Sequence, residues 1–98
     1  MKLGFHPAVQ RDFNVAIRFY EQTGLTMADR FEAEMRAGLE RIRLNPRRYA
    51  YHQRGAVFRR FKLPSFPYVI VYRELAAEIR VIVLKHEKQD APYGLSRL

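Results

Sequence analysis

The sequence predicts an α+β domain in which a helical hairpin covers one face of a small, mainly antiparallel sheet, in the order β-α-α-β-β-β. Hydrophobic residues recur at helical spacing over residues 9–42, alternate with polar residues over 57–73, and alternate once more in a short segment before residue 7. A chain of 98 residues has room for one hydrophobic core. Residues 1–98 are therefore predicted to form a single domain.

The N-terminal quarter is predicted to contain a strand and a helix. Leu3 and Phe5 alternate with polar and small residues, which is the pattern of a short, half-buried strand. Pro7 follows, and proline suits the first turn of a helix. Apolar residues then recur at helical spacing until Thr23-Gly24, where the helix is expected to end: Val9, Phe13, Ala16, Ile17 and Tyr20.

A second helix is predicted directly after the first. Thr26 and Asp29 have the spacing of an N-terminal capping pair. Apolar residues continue at helical spacing until Asn45-Pro46, where the proline ends the run: Met27, Ala28, Phe31, Met35, Leu39 and Ile42. Because only a few residues around Gly24 separate the helices, they are expected to form an antiparallel hairpin.

The C-terminal half is predicted to contain three strands, at residues 57–63, 68–73 and 79–85. In the first of them, alternation places Phe61 and Leu63 on one face and Arg60 and Lys62 on the other. The last strand is apolar on both faces, which predicts a central position in the sheet. Short links between the three strands predict an antiparallel meander. Residues 86–98 form a polar tail, predicted as loop or a short helix.

The composition excludes several classes of protein. A hydrophobic content of 48% is too high for an intrinsically disordered chain, and the aliphatic runs are too short to span a membrane. The sequence has no cysteine, which excludes disulfides, thiolate metal sites and cysteine nucleophiles. The start of the chain has no apolar signal-peptide region, so a cytoplasmic location without a membrane partner is expected.

The net charge of +8 is concentrated in one third of the chain. Residues 41–73 contain nine arginines and lysines and no acidic residue, whereas the rest of the chain has nine basic and ten acidic residues. A basic segment of this kind attracts polyanions, nucleic acid first. The same charges are typical of a solvated surface that keeps a small protein soluble. Composition alone leaves both interpretations open.

The motifs of common enzymes and metal sites are missing from the sequence. The three histidines, His6, His52 and His86, are far apart and lack the spacing of metal ligands. Acidic residues in the second helix are expected on its solvated surface. The sequence has no phosphate-binding glycine loop and no nucleophile elbow. Neither a metal nor a cofactor is therefore predicted.

A group of cationic and aromatic residues remains as the candidate site. Metal-independent RNA cleavage needs a base, an acid and positive charge at the phosphate. The candidates for catalysis are Arg60, Lys62, His86 and Tyr93, and the candidates for binding nucleic acid are Arg59, Arg73, Lys85, Lys88 and Arg97. Neighbouring cations disfavour each other's charge, which makes Lys62, close to Arg60, the candidate base. The alternative for this pair is a structural one, as edge-strand charges that prevent aggregation.

Several local strings, in this order, resemble the RelE/ParE toxins of bacterial type II toxin-antitoxin systems. They are Phe5-His6-Pro7-Ala8, with Asp12, Ala16 and Tyr20 in the first helix; Phe31 and Asn45-Pro46; residues 66–72; and residues 81–86 followed by Pro92-Tyr93. The resemblance covers nearly the whole chain. It implies the α+β fold given above and a cognate antitoxin whose chain wraps the toxin and covers its basic groove.

The resemblance also implies one of two targets. RelE-like toxins cleave mRNA on the ribosome with a set of Lys, Arg and a late Tyr or His, whereas ParE-like toxins inhibit DNA gyrase without that set. Arg60, Lys62 and Tyr93 fall at positions of the ribonuclease set, but Val69 and Glu87 stand where two of its arginines are expected. Ribosome-dependent mRNA cleavage is the leading hypothesis, with Arg60 and Lys62 holding phosphate or serving as base. His86 or Tyr93 is the candidate acid. Gyrase inhibition and an inactive basic binding module are the alternatives.

Overall fold

The computed structural model describes residues 2–53 and 55–97, and its elements follow the predicted order. The strands are β1 (Lys2–Phe5), β2 (Phe58–Lys62), β3 (Tyr68–Glu74) and β4 (Glu78–His86), and the helices are α1 (Ala8–Thr23) and α2 (Leu25–Leu44). β2, β3 and β4 form the predicted meander, and β1 pairs with β4 in parallel. The order β1-β4-β3-β2 makes β4 a central strand, as its apolar sequence predicted. The predicted fold class is confirmed. Met1, Arg54 and Leu98, which belong to the predicted domain, basic segment and tail, lie outside the described residues.

The two helices form the predicted hairpin, with Gly24 as their link. The backbone N–H of Gly24 donates to the Tyr20 carbonyl over 3.0 Å, and the Gly24 carbonyl accepts from Ala28 N–H over 3.2 Å. The predicted capping pair at Thr26 is wrong, because α2 begins at Leu25 and no side chain caps its first turn. Gly24 thus stands between the last residue of α1 and the first residue of α2. Glycine has no side chain that could cap α2.

The main core lies between the hairpin and the sheet, and Phe31 stands at its centre. The Phe31 ring is fully buried, with centroids 5.1 to 6.0 Å from those of Phe13, Tyr20, Phe66 and Tyr68. Phe61, Ile70, Tyr72, Ile79, Val81 and Leu84 supply much of the sheet side of this core. Tyr68, Ile70 and Tyr72 alternate with Val69 and Val71 on the opposite face of β3, as the sequence predicted. The period of two therefore fixed which side chains reach the helices.

The face of the sheet opposite the helices, here called the outer face, carries a second and smaller apolar cluster. It consists of Val69, Val71, Ile82 and Val83, with Phe58 and Leu95 packed against it. The tail after β4 runs in turns and brings Leu95 over this cluster. Gly94 makes the close crossing feasible, because its φ is +80° and a Cβ there would lie 2.9 Å from Val83 Cβ. The tail is therefore part of the packed domain.

Tyr72 joins the loop after α2 to the sheet. Its hydroxyl donates to the Pro46 carbonyl over 2.6 Å, and the residue is only 1% exposed. Burial raises the pKa of Tyr72 to about 12. An unfolded tyrosine loses its proton near pH 10. Between these two values unfolding releases a proton, so the stability of the fold is expected to decrease as the pH rises above about 10.

The variant Tyr72→Phe tests this linkage. We expect it to lower the free energy of unfolding by about 1–2 kcal/mol at pH 8, because the buried bond to Pro46 is lost. Between pH 8 and pH 11 the variant is expected to lose less stability than the wild type, since it lacks the titrating hydroxyl. Urea unfolding at the two pH values measures both effects. An equal alkaline loss in the two proteins would contradict the assignment.

Candidate functional site

The predicted site residues lie on different parts of the surface. Arg60, Lys62 and Lys85 lie on the outer face, because strand pairing places them beside Val69 and Val71. Arg73 lies on the same face, at its other end. Arg59 points to the face that the helices cover, near the loop that follows α2. The remaining candidates lie at the end of β4 and in the tail: His86, Lys88, Tyr93 and Arg97.

Arg60 and Lys85 line a small cavity on the outer face, here called the outer cleft. It measures about 380 Å³ and is lined by His52, Arg60, Val69, Lys85, Glu87, Gln89 and Ala91. Arg60 is exposed and has no ion pair or side-chain hydrogen bond within residues 2–53 and 55–97. Lys85 is only 4% exposed, and its Nζ donates to the His86 carbonyl over 3.1 Å. The cleft thus joins a free guanidinium and a buried ammonium group.

Lys62, the candidate base, is held by contacts to the link between β2 and β3. Its Nζ donates to the carbonyls of Leu63 and Phe66, each over 2.7 Å. The Glu87 carboxylate lies 3.4 Å from the same nitrogen. A general base needs a free lone pair within reach of the substrate. Lys62 would have to release these contacts before it could accept a proton.

Arg59 stabilises the loop that follows α2. Its guanidinium donates to the Tyr49 carbonyl over 2.7 Å and to the Tyr51 hydroxyl over 3.0 Å. It also lies 4.1 Å from the centroid of the Tyr51 ring, which is a cation-π contact. Tyr51 in turn continues the sheet through a bridge to Arg59. The donors of Arg59 are therefore directed into the protein.

Arg73 lies on the outer face beside a second arginine. It lies directly opposite Arg80 on β4, and like charges in this position are destabilising. Its guanidinium stands 5.6 Å from the centroid of the Phe58 ring. The Nε of Arg73 is buried and has no hydrogen-bond partner in the described part of the chain. Arg80 is itself ion-paired with Glu78 over 3.6 Å, which offsets part of the charge of the two arginines.

Arg97 forms an ion pair with Asp12 that covers an open edge of β4. β1 pairs with β4 only as far as Val81. The backbone groups of Ile82 and Leu84 on this edge of β4 therefore have no partner in β1. The Asp12 carboxylate accepts a hydrogen bond from Leu84 N–H over 3.1 Å. It also accepts from Nη1 and Nη2 of Arg97, over 2.6 and 3.1 Å. Arg97 also donates to the Ile82 carbonyl over 3.1 Å. These two side chains replace the missing strand and fasten the tail.

His86, Tyr93 and Arg97 come together beside α1. All three line a groove with Asp12 and Tyr68. The His86 ring packs edge-on against Tyr68 at a centroid distance of 5.0 Å, and its Nδ1 accepts from Lys88 N–H over 3.0 Å. Tyr93 is 42% exposed, with the Arg97 guanidinium 5.6 Å from its ring centroid. The candidate acids therefore lie at the β4 edge, and the candidate base lies on the outer face.

Two further features concern metals and membranes. Within residues 2–53 and 55–97, no three side chains of His, Cys, Asp or Glu are grouped so that they could hold a metal ion. In the same part of the chain, neither helix is long and apolar enough to cross a membrane.

Two site residues were not predicted from the sequence. His52 is 4% exposed, although it lies in a polar loop, because its ring contacts Ala91 near the other end of the chain. Asp12 was noted only for its resemblance to the toxin family, yet its carboxylate contacts both β4 and the tail. Both contacts join residues far apart in sequence, so no local pattern signals them.

Comparisons with known proteins agree with this architecture. Among solved structures, the chain is similar to one described as the chromosomal ParDE TA system from P. aeruginosa, with a TM-score of 0.75 and 14% identity over 88% of this chain and 95% of that chain. Among curated proteins, none matched the sequence. The model of the family described as "ParE toxin of type II toxin-antitoxin system, parDE" matches residues 3–91. Because this match spans most of the chain, the protein belongs to the ParE family of toxins of type II toxin-antitoxin systems.

Proposed function

We propose that this toxin arrests growth by inhibiting DNA gyrase, as its family suggests, and that it does not cleave mRNA. The engagement of the Lys62 ammonium by two backbone carbonyls and the Glu87 carboxylate is the observation that carries the proposal. This reverses the order of the two targets that the sequence favoured.

Metal-independent RNA cleavage requires an acid and a base that both reach one phosphate. Here the candidate base, Lys62, lies on the outer face and contacts two backbone carbonyls. The candidate acids, His86 and Tyr93, line the groove beside α1 instead. Because the Lys62 ammonium is engaged by contacts within the protein, a reaction centre that uses it as the base is disfavoured.

Stabilisation of the cleavage transition state would also lack two of its expected charges. At one of the two positions stands Val69, which is 1% exposed and packs in the outer apolar cluster. At the other stands Glu87, which supplies no positive charge and whose carboxylate lies 3.4 Å from the Lys62 ammonium. Loss of one such donor costs about 100- to 1,000-fold in rate in studied enzymes. The loss of both supports a toxin without ribonuclease activity.

An inhibitor that only binds needs a rigid surface complementary to its target. The ion pair between Asp12 and Arg97 holds the tail, and the hydrogen bond from Arg59 to the Tyr49 carbonyl holds the loop after α2. These contacts give the surface a fixed shape. Exposed cations such as Arg41, Arg48 and Arg60 suit a target that is itself bound to DNA. As a member of this family the toxin is paired with a cognate antitoxin, and we propose that the antitoxin blocks this same surface.

The proposal is tested by expressing the toxin from a tightly controlled promoter without its antitoxin. We expect plasmid supercoiling to change and a DNA-damage response to follow, while mRNA stays intact. Tyr93→Phe, which removes the candidate acid's proton but keeps its ring, is expected to arrest growth as the wild type does. A gene with an early stop codon is the control. Cleaved mRNA with unchanged supercoiling, or loss of toxicity in a folded Tyr93→Phe protein, would contradict the proposal.

A further inference from the structure

His52 lines the outer cleft, and its ring contains an unsatisfied hydrogen-bonding atom, Nδ1, that is buried from solvent. Its Nε2 lies 2.8 Å from the Ala91 carbonyl oxygen, which can only accept a hydrogen bond. Nε2 therefore carries the proton, and in the neutral ring Nδ1 has a lone pair. Nδ1 is buried and has no partner among residues 2–53 and 55–97. A buried acceptor without a donor is costly, so a ligand that donates a proton here would recover that cost.

Two cations line the same cleft. Lys85 is 4% exposed, and one of its three ammonium protons is directed to the His86 carbonyl. Arg60 is exposed and has no acidic partner within the described residues. Glu87 also lines the cleft, but its carboxylate faces the Lys62 ammonium at 3.4 Å. The net charge of the side chains of Arg60, Lys62, Lys85 and Glu87 is positive, which favours binding of an anion.

We propose that the outer cleft binds a phosphomonoester group, through Arg60, Lys85 and the Nδ1 of His52. The second proton of a phosphomonoester has a pKa of about 6, so the group retains one P–OH in part of its population near neutral pH. That P–OH would donate to Nδ1, and the remaining oxygens would accept from the two cations. A carboxylate or a phosphodiester carries no such proton and satisfies only the cations.

The size of the cleft agrees with a small ligand. Its volume of about 380 Å³ lies at the low end of the range of about 300–1,000 Å³ that is typical of small-molecule sites. No bond to phosphorus forms or breaks in this proposal, which concerns binding alone. It does not depend on gyrase as the target, so the two proposals can fail separately.

The test is a titration of the full-length protein, made by cell-free synthesis with ¹⁵N-labelled histidine. Inorganic phosphate is expected to shift the Nδ1 resonance of His52 in a saturable way. Arg60→Gln is expected to weaken this binding about tenfold, the effect of losing one charge-assisted hydrogen bond. Arg30→Gln, an equal change of charge at an exposed residue of α2 outside the cleft, is the matched control and is expected to bind as the wild type does.

Four further probes identify the chemistry of the ligand. Acetate and dimethyl phosphate are expected to bind at least about tenfold more weakly than phosphate, because neither donates to Nδ1. A dinucleotide with a 5′-phosphate is expected to bind, and the same dinucleotide with a 5′-hydroxyl is not. Absence of saturable binding, equal weakening by Arg60→Gln and Arg30→Gln, or equal affinity for phosphate and its diester would each overturn the proposal. Spectra of the unliganded variants establish that they are folded.

Discussion

Replacing Asp12 by alanine is expected to lower the free energy of unfolding by about 3–5 kcal/mol, the range for removing one partner of a buried ion pair. The side chains of Arg97 and Asp12 are only 16% and 8% exposed. Their hydrogen bond is the main reason why the pKa of Arg97 is raised. The substitution leaves the Arg97 charge without its counterion and the Leu84 N–H without its acceptor. The tail should then detach before the sheet unfolds.

Asp29→Ala is the matched control for this prediction. Asp29 is an exposed residue of α2 with no ion pair or hydrogen bond from its side chain among the described residues. Its removal changes the net charge equally and should alter stability by no more than about 0.5 kcal/mol. Urea unfolding of the two variants measures the difference. If Asp12→Ala were no less stable than Asp29→Ala, the ion pair could not be what fastens the tail.

Phe31→Ala is expected to have an effect of similar size, about 3–5 kcal/mol, because it empties the centre of the main core. Phe31 is fully buried and contacts aromatic rings from α1 and from the segment around β3. The space cannot close easily, since the surrounding rings are large and are held by separate elements. Thermal unfolding of the full chain measures the loss.

Phe19→Ala provides the comparison for Phe31. Phe19 is 60% exposed on α1 and packs against one ring, that of Tyr20. The same chemical change is expected to cost about 1 kcal/mol or less at this position. Equal losses at the two sites would mean that the aromatic cluster does not hold the hairpin on the sheet.

The fold was predictable where the sequence has a regular period. Alternation in β3 separated Tyr68, Ile70 and Tyr72 from Val69 and Val71, and the structure has them on opposite faces. The continuous apolar run of β4 predicted its central position. Irregular backbone carries no such signal. The tail looked polar because its apolar contact to the outer cluster is made by a single residue, Leu95.

The site was less predictable, because charge along the sequence does not tell which charges are free. The segment 41–73 contains four of the nine predicted site residues, yet several of its cations contact the protein itself. Arg47 pairs with Glu74 through two bonds, and Arg59 and Lys62 donate to backbone carbonyls. Only the contacts made in the folded chain distinguish these structural cations from Arg60, which is exposed and stays available to a ligand.

The measurement that tests the central claim most directly is a supercoiling assay with purified toxin, purified gyrase and relaxed plasmid. We expect the toxin to block supercoiling at concentrations close to that of gyrase, and the cognate antitoxin to restore it. In a parallel reaction with translating ribosomes, the same toxin is expected to leave mRNA intact. Full supercoiling activity in excess toxin, together with cleavage of ribosome-bound mRNA, would contradict the account.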